Sequence, residues 1–200
     1  MKNSSWKKPL ILFATIFAIV SGSFMLVVAL HEDGGNRVAF SLTDHHNQPV
    51  NQTDLAGKYQ LVFFGFTSCA DICPTQMSKL TQVMSNLDQT GHGQRVTPVF
   101  ITVDPERDHP EKVASYLRYF DDRFVGLTGS RDALGRTAES FKTFLQASPV
   151  DKNEQRTGMK DYQVTHSSIV YLVDPFSRIV DYIAFDEGYE SIAARVRDTI

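Results

Sequence analysis

One run of residues limits the fold more than any other feature of the sequence. Residues 59–66, YQLVFFGF, are apolar almost without interruption and rich in aromatic side chains. Such a run predicts a strand that is buried on both faces, at the centre of a sheet. A sheet covered on both faces needs helices on each side. We therefore expect an α/β domain built around this strand.

Strand and helix patterns alternate after this run. Apolar residues recur at spacings of three and four from Met77 to Leu87, which is typical of an amphipathic helix. Residues 96–104, VTPVFITVD, predict a second central strand, and Pro110 suits the first turn of the helix that follows. Ser130 is a candidate N-cap for a further helix. Alternation of this kind predicts βαβ units with parallel strands.

Both ends of the domain predict hairpins. Apolar and polar residues alternate from Val38 towards a turn at Asn47–Pro49, and two β-rich runs near the C-terminus meet at Phe176–Ser177. Residues 147–161 are polar and predict a mobile loop. The predicted fold class is α/β, with a mostly parallel central sheet, an N-terminal hairpin and helices on both faces.

The N-terminal segment predicts a membrane anchor. Residues 10–30 carry no charge over 21 positions, which is enough to cross a bilayer as a helix. Lysines precede the segment and acidic residues follow it, so residues 1–9 are predicted to be cytoplasmic. A linker at 31–37 would lead to an exported domain at 38–200. The predicted location is a bacterial inner membrane, single-pass, with the domain in the periplasm.

A cleaved signal peptide is the alternative for the same segment. Val27 and Ala29 could serve as the small residues of a cleavage site. The apolar stretch is longer than a typical signal core, which favours a retained anchor.

The charge of the chain limits its partners. The formal net charge is -3, and the sequence has no cluster of lysine and arginine. This composition argues against nucleic acid as a partner.

The chain has two cysteines, and both lie where the central strand gives way to a helix. Cys69 and Cys73 are four residues apart, a spacing that places both on one face of a helical turn. In an exported domain two cysteines often form a structural disulfide. A regular helical turn would strain that bridge, whereas two thiolates can hold one soft metal ion. The helix N-terminus is expected to lower the pKa of these thiols. The residues themselves leave a disulfide, a metal site and redox chemistry open.

One of the six histidines differs in context from the others. His166 lies directly before a predicted strand, 93 residues after Cys73. The other five are predicted to be solvated or to belong to turns and a helix start; they are His31, His45, His46, His92 and His109.

Three stretches together resemble the Sco/SenC family of copper-binding, thioredoxin-like proteins. They are FFGFTSCADICPTQM, VFITVDPERDHPEKVASYL and DYQVTHSSIVYLVDPFSRIV, and the resemblance covers about residues 38–200. It implies a thioredoxin-like fold and a copper site formed by Cys69, Cys73 and His166. Thr165 stands where family members often have an acidic residue, so the tuning of His166 is expected to differ.

The resemblance also implies a function and partners. The family is implicated in delivering copper to the binuclear copper site of cytochrome c oxidase, or in reducing its thiols. The expected function is a membrane-anchored periplasmic copper metallochaperone that carries Cu(I), Cu(II) or both. Its expected partners are the copper-site subunit of the oxidase, a periplasmic copper donor and, through the N-terminal helix, the membrane.

Two other activities use the same thiols. A membrane-tethered thiol–disulfide reductase, acting on an oxidase subunit or on other periplasmic proteins, would need Cys69 and Cys73 but not His166. A thiol peroxidase usually has Thr or Ser three residues before its reactive cysteine, where this chain has Phe66. The metallochaperone is therefore preferred over an enzyme, with thiol–disulfide exchange kept as the alternative.

Several other polar residues have two interpretations. Asp71 is a candidate cap for the helix, with support of the metal site as the alternative. The charged turn Asp104–Asp108 predicts turn and cap chemistry, with a docking surface as the alternative. Met159, in the polar loop, is a candidate for a weak extra copper ligand.

Overall fold

The computed structural model describes residues 37–143, 146–149, 162–165 and 168–200, with backbone alone for residues 146–149 and 162–165. Residues 37–200 form one compact unit. The strands are β1 Ser41–Asp44, β2 Pro49–Asn51, β3 Tyr59–Gly65, β4 Val96–Thr102, β5 Val125–Thr128, β6 Gln146–Pro149, β7 Tyr162–Thr165, β8 Val170–Val173 and β9 Ile179–Ile183. The helices are α1 Ile72–Gln89, α2 Pro110–Leu117, α3 Arg131–Ser140 and α4 Tyr189–Thr199, with a 3₁₀ turn at Gly93–Arg95.

The main sheet is mixed, with a parallel centre and an antiparallel hairpin at each edge. Its order is β2-β1-β5-β4-β3-β8-β9, and only the β3–β4 and β4–β5 pairs are parallel. The predicted hairpins at both ends are confirmed. The prediction of a mostly parallel sheet is wrong, because β1 and β8 join the centre in antiparallel orientation. The connection before β8 is long enough for either orientation, so its length in the sequence could not decide.

The core lies on both faces of β3, as the continuous apolar run predicts. Leu61 and Phe63 pack into a cluster with α1, α2 and α4, while Val62 and Phe64 pack into a second cluster with α3. All four side chains are buried. Side chains alternate across a strand, so β3 supplies both layers of the core and is held rigidly between them.

The helix starts follow the capping signals of the sequence. Pro110 is the first residue of α2. Ser130 caps α3, and its hydroxyl oxygen accepts a hydrogen bond from the Ala133 backbone N–H at 3.2 Å. Both predictions are confirmed.

A second, two-stranded sheet stands where the sequence predicted a loop. β6 pairs with β7 in antiparallel orientation, with Ala147 opposite Val164. The prediction of a loop is therefore wrong for residues 147–149, and residues 150–161 lie outside the described residues.

No helix within the described part of the chain is both long and apolar enough to cross a membrane. The predicted anchor at residues 10–30 and most of the predicted linker lie outside the described residues.

Candidate metal centre

Cys69 and Cys73 lie at the carboxyl edge of the parallel strands. β3 ends at Gly65, the turn that follows carries Cys69, and Cys73 is the second residue of α1. The Cys69 backbone N–H donates to the Phe66 carbonyl oxygen at 3.2 Å and so closes this turn. Open α/β sheets bind ligands at this edge. The predicted position of the two thiols, between strand and helix, is confirmed.

The two sulfurs are neighbours, but their exposure differs. No disulfide joins the two cysteines; Cys73 is fully buried and Cys69 is half-buried. The Cys73 backbone N–H donates to Cys69 Sγ at 3.4 Å, and a hydrogen bond also joins the two side chains. Cys73 therefore belongs to the core, whereas Cys69 is packed against the core and partly exposed.

Burial raises the pKa of the Cys73 thiol far above its ordinary value. A hydrogen bond from the Phe66 backbone acts in the opposite direction, whereas the Cys69 thiol and the Asp108 carboxylate raise this pKa further. The expectation that the helix N-terminus lowers the thiol pKa is wrong for Cys73, because the loss of water outweighs the helix dipole. A cation would remove this penalty, since a thiol that binds a metal gives up its proton.

Gly65 allows the Cys73 sulfur to lie against the end of β3. A Cβ atom at Gly65 would come within 3.2 Å of Cys73 Sγ and within 2.9 Å of ring carbons of Phe63 and Phe100. The glycine therefore provides the space that the sulfur and the two rings occupy.

Asp108 ties the cysteine turn to the neighbouring strand. Its carboxylate accepts hydrogen bonds from the Thr67 backbone N–H at 2.9 Å and the Thr67 hydroxyl at 2.5 Å. It also accepts one from the Thr102 hydroxyl at 2.7 Å, at the end of β4. Asp108 is fully buried, so these three donors, together with the Lys112 ammonium at 3.7 Å, replace water around the carboxylate. Sequence reasoning did not identify this role, although Thr67 and Asp108 follow two strands that end at the same edge.

The other charged residues of the turn Asp104–Asp108 form ion pairs that stabilise the structure. Asp104 is buried, forms an ion pair with Arg107, and has a pKa raised mainly by burial. The exposed Glu106 pairs with Arg131 at 2.5 Å. Turn chemistry is therefore the correct interpretation for Asp104 and Asp108, and neither is free to form a docking surface. Asp71 occupies the N-cap position of α1, but its side chain makes no capping hydrogen bond.

The third predicted ligand, His166, lies outside the described residues, as do Met159 and the side chain of Thr165. The segment that follows His166 is described: β8 runs antiparallel to β3, with Val170 opposite Phe63. β8 therefore starts near the edge at which the cysteines lie. Within the described residues, no three His, Cys, Asp or Glu side chains form a group that could hold a metal ion.

Two histidines predicted to be solvated are partly buried instead. The Nδ1 atom of His45 accepts a hydrogen bond from the Gly126 N–H at 3.1 Å, and burial lowers the pKa of this imidazole. The Nδ1 atom of His92 is buried without a partner among the described residues.

A family model and individual relatives point to the same family of proteins. The sequence model of the SCO1/SenC family matches residues 31–200. The chain is 37% identical over 169 residues to the mitochondrial SCO2 homolog of Mus musculus, covering 84% of this chain and 64% of that protein. It is 36% identical over 157 residues to the mitochondrial SCO1 homolog of Homo sapiens, and the match covers 78% of this chain and 50% of that protein. The chain thus spans between half and two thirds of the length of these relatives.

A solved structure extends the likeness to the fold. The crystal structure of Arabidopsis thaliana ScoI with copper bound superposes with a TM-score of 0.73, at 31% identity, covering 82% of this chain and 97% of that one. The match confirms a thioredoxin-like α/β fold.

Proposed function

Because the chain belongs to the SCO1/SenC family, we propose that it is a copper metallochaperone that binds copper through Cys69, Cys73 and His166. It would supply the ion to the copper site of cytochrome c oxidase during assembly of that enzyme. The observation that carries the proposal is the pair of adjacent cysteine thiols at the carboxyl edge of the sheet, with Cys73 buried and Cys69 half-buried.

The chemistry of the thiol pair favours copper. Two thiolates select a soft ion such as Cu(I), and an imidazole ligand adds affinity for Cu(II). Burial makes a bare thiolate at Cys73 costly, so the bound cation supplies the charge that water would otherwise supply. The structural relative from Arabidopsis thaliana is described with copper bound, which supports the same cargo here.

The position of β8 supports His166 as the third ligand. Val170 is fixed opposite Phe63, and His166 is four residues earlier in the chain. Four residues reach at most about 13–14 Å when fully extended. A spacer of that length in the sequence is compatible with a ligand at the sheet edge from which the cysteine turn leaves, and this supports the choice of His166.

Release of the ion would begin at Cys69. Cys69 is half-buried as a residue whereas Cys73 is buried, so a ligand of an acceptor protein would approach the copper from the Cys69 side. A three-ligand site leaves a coordination position open for such an exchange.

The location is proposed on the sequence alone. A retained anchor at residues 10–30 would fix the protein in a bacterial inner membrane, with residues 38–200 in the periplasm. A periplasmic copper donor and the copper-site subunit of the oxidase are the partners that this location requires.

The test is anaerobic titration of the full-length, reduced protein in detergent with Cu(I), against a chromophoric competitor. We expect one ion per chain, loss of binding in Cys69→Ala and Cys73→Ala, and weaker binding in His166→Ala. His46→Ala is the matched control, because His46 is exposed. Equal affinity in the wild type and all three ligand variants would refute the proposal.

Thiol–disulfide exchange is a second candidate, favoured by the unequal exposure of the sulfurs. Cys69 can attack a partner's disulfide, and Cys73 can then resolve the mixed disulfide. The protein dithiol becomes a disulfide while the partner's disulfide becomes two thiols. This activity predicts partners trapped on Cys73→Ala and an unchanged rate in His166→Ala; a rate that depends on His166 would contradict it.

A further inference from the structure

The turn between β8 and β9 carries an exposed aromatic ring on a well-ordered support. The buried Asp174 carboxylate accepts hydrogen bonds from the backbone N–H groups of Phe176 and Arg178, at 2.8 and 2.9 Å. It accepts a third from the Arg178 guanidinium at 2.8 Å. Phe176 lies at the end of this turn and is 65% exposed. Because the carboxylate fixes the turn, the ring is held out from the domain by design of the backbone and not by fraying.

Two arginines lie beside this ring. The Arg178 guanidinium is placed over the Phe176 ring, 5.3 Å from its centroid, which is a cation–π contact. Arg37 pairs with Arg178 through an isolated antiparallel bridge, and the Val38 N–H donates to the Ser177 carbonyl oxygen at 2.8 Å. The residues at which the described part of the chain begins therefore run alongside the turn.

A lysine from a third segment adds to the positive charge. The Gly57 N–H donates to the Pro175 carbonyl oxygen at 3.1 Å, and the next residue, Lys58, is exposed. Asp54 lies in the same loop as Lys58, and its carboxylate accepts a hydrogen bond from the Asn51 N–H at 2.8 Å. We call residues 175–178, together with Arg37 and Lys58, the hairpin tip.

The hairpin tip and the cysteines lie at opposite ends of β3. Gln60 pairs with Val173, which directly precedes the turn, whereas Gly65 at the other end of β3 leads to Cys69. A strand of seven residues is about 20 Å long. A surface that binds the hairpin tip therefore leaves the cysteine turn accessible.

The chemistry of the hairpin tip fits an anionic bilayer. An aromatic side chain can enter the boundary between headgroups and acyl chains, while neighbouring basic groups bind headgroup phosphates. The course of the chain favours a bilayer over a protein partner. The predicted anchor ends at Leu30, seven residues before Arg37, and seven residues reach at most about 23–25 Å.

We propose that the hairpin tip is a membrane-contact surface for anionic phospholipids. Phe176 enters the headgroup boundary, and Arg37, Lys58 and Arg178 bind the phosphates. The contact directs the cysteine turn away from the bilayer, where an acceptor protein can reach it. The supply of a bilayer by the chain's own anchor rests on the proposed location, whereas the lipid affinity of the hairpin tip does not.

The experiment places a fluorescent probe at the tip of the full-length protein. Trp6, the single tryptophan of the chain, is replaced by Phe, and Phe176→Trp is introduced. The protein is reconstituted in nanodiscs of phosphatidylcholine with phosphatidylglycerol, with or without bromine on the acyl chains. We expect emission at shorter wavelength than in detergent, and quenching by the brominated lipid. Glu106→Trp in the same background is the matched control, because Glu106 is exposed in the turn after β4, at the cysteine edge. It should not be quenched.

Lys58→Gln tests the role of charge. A basic group near an anionic surface strengthens binding about fivefold, so the ratio of docked to undocked tips should fall by about that factor. The loss should disappear in discs of phosphatidylcholine alone.

A second measurement avoids the tryptophan. In the wild type, acetylation of Lys58 should be slower in anionic than in neutral discs, whereas acetylation of Lys112, on α2, should not differ. Phe176→Ser should remove the protection of Lys58.

The outcomes separate this proposal from the proposed location. A tryptophan at position 176 that is no more quenched than the Glu106→Trp control, or Lys58 acetylation that is equal in both discs, overturns the membrane contact and leaves a protein partner for the tip. Failure of the wild type to incorporate into discs overturns the anchor instead. In that case brominated anionic vesicles mixed with the same tryptophan variant test the tip, and absence of quenching overturns its lipid affinity.

Discussion

Removal of the Asp108 carboxylate should both destabilise the domain and loosen the cysteine turn. In Asp108→Ala the Thr67 N–H and the hydroxyls of Thr67 and Thr102 lose their acceptor. A hydrogen bond to a charged group contributes about 1.5–3 kcal/mol, and such contributions overlap when they share one acceptor. We therefore expect a loss of about 3–4 kcal/mol in the free energy of unfolding.

Asp108→Asn separates the loss of shape from the loss of charge. One oxygen remains to accept two of the three bonds, and the Thr67 hydroxyl can rotate to accept from the new amide. We expect a loss of about 1 kcal/mol for this variant, well below that of Asp108→Ala. Glu106→Ala is the control within the same turn, because its exposed ion pair with Arg131 contributes about 0–1 kcal/mol.

Urea unfolding followed by far-ultraviolet circular dichroism measures all three variants, and copper titration follows on those that fold. Copper affinity should fall in the same order as stability, because Thr67 lies two residues before Cys69. If the free energies of unfolding of Asp108→Ala and Glu106→Ala differ by less than about 1 kcal/mol, the three donors have other acceptors and the reasoning is wrong.

Two further predictions concern the sulfur that faces the core. Gly65→Ala should lose about 1–3 kcal/mol of stability in urea, because its Cβ would press on Phe63, Phe100 and Cys73 Sγ; an unchanged midpoint would contradict the close contact. Because folding raises the pKa of Cys73, the metal-free protein should be most stable below the ordinary thiol pKa of about 8.5. Above it, stability should fall by up to about 1.4 kcal/mol per pH unit. Denaturant unfolding at a series of alkaline pH values should show this slope in the wild type, and a shallower one in Cys73→Ala.

The sequence predicts a strand well when the residues of the strand itself determine its position in the sheet. β3 is a continuous apolar run, and a strand of that kind can be stable only in the middle of a covered sheet. The direction of β8 cannot be predicted in this way, because antiparallel pairing with β3 depends on the path of the chain and not on the composition of VYLV. β6 was missed because Gln146–Pro149 has neither an apolar run nor β-branched residues.

Some features of the site likewise follow from the local sequence, whereas others arise from contacts between residues that are distant in the sequence. The position of Cys69 and Cys73 follows from local pattern, since a strand ends and a helix begins around them. The role of Asp108 and the high pKa of Cys73 arise from groups that are distant in sequence and meet only in the fold.

The placement of β3 between β4 and β8 has a consequence for how the protein is made. Gln60 pairs with Val173, a residue more than a hundred positions later in the chain. Until the C-terminal hairpin arrives, the strand that leads to the cysteines has one open edge, and open edges invite pairing with other chains. Contacts of this sequence separation form late and slowly. The cysteine turn therefore gains its final support only after almost the whole domain has been synthesised, and a chain truncated before residue 170 should aggregate rather than bind metal.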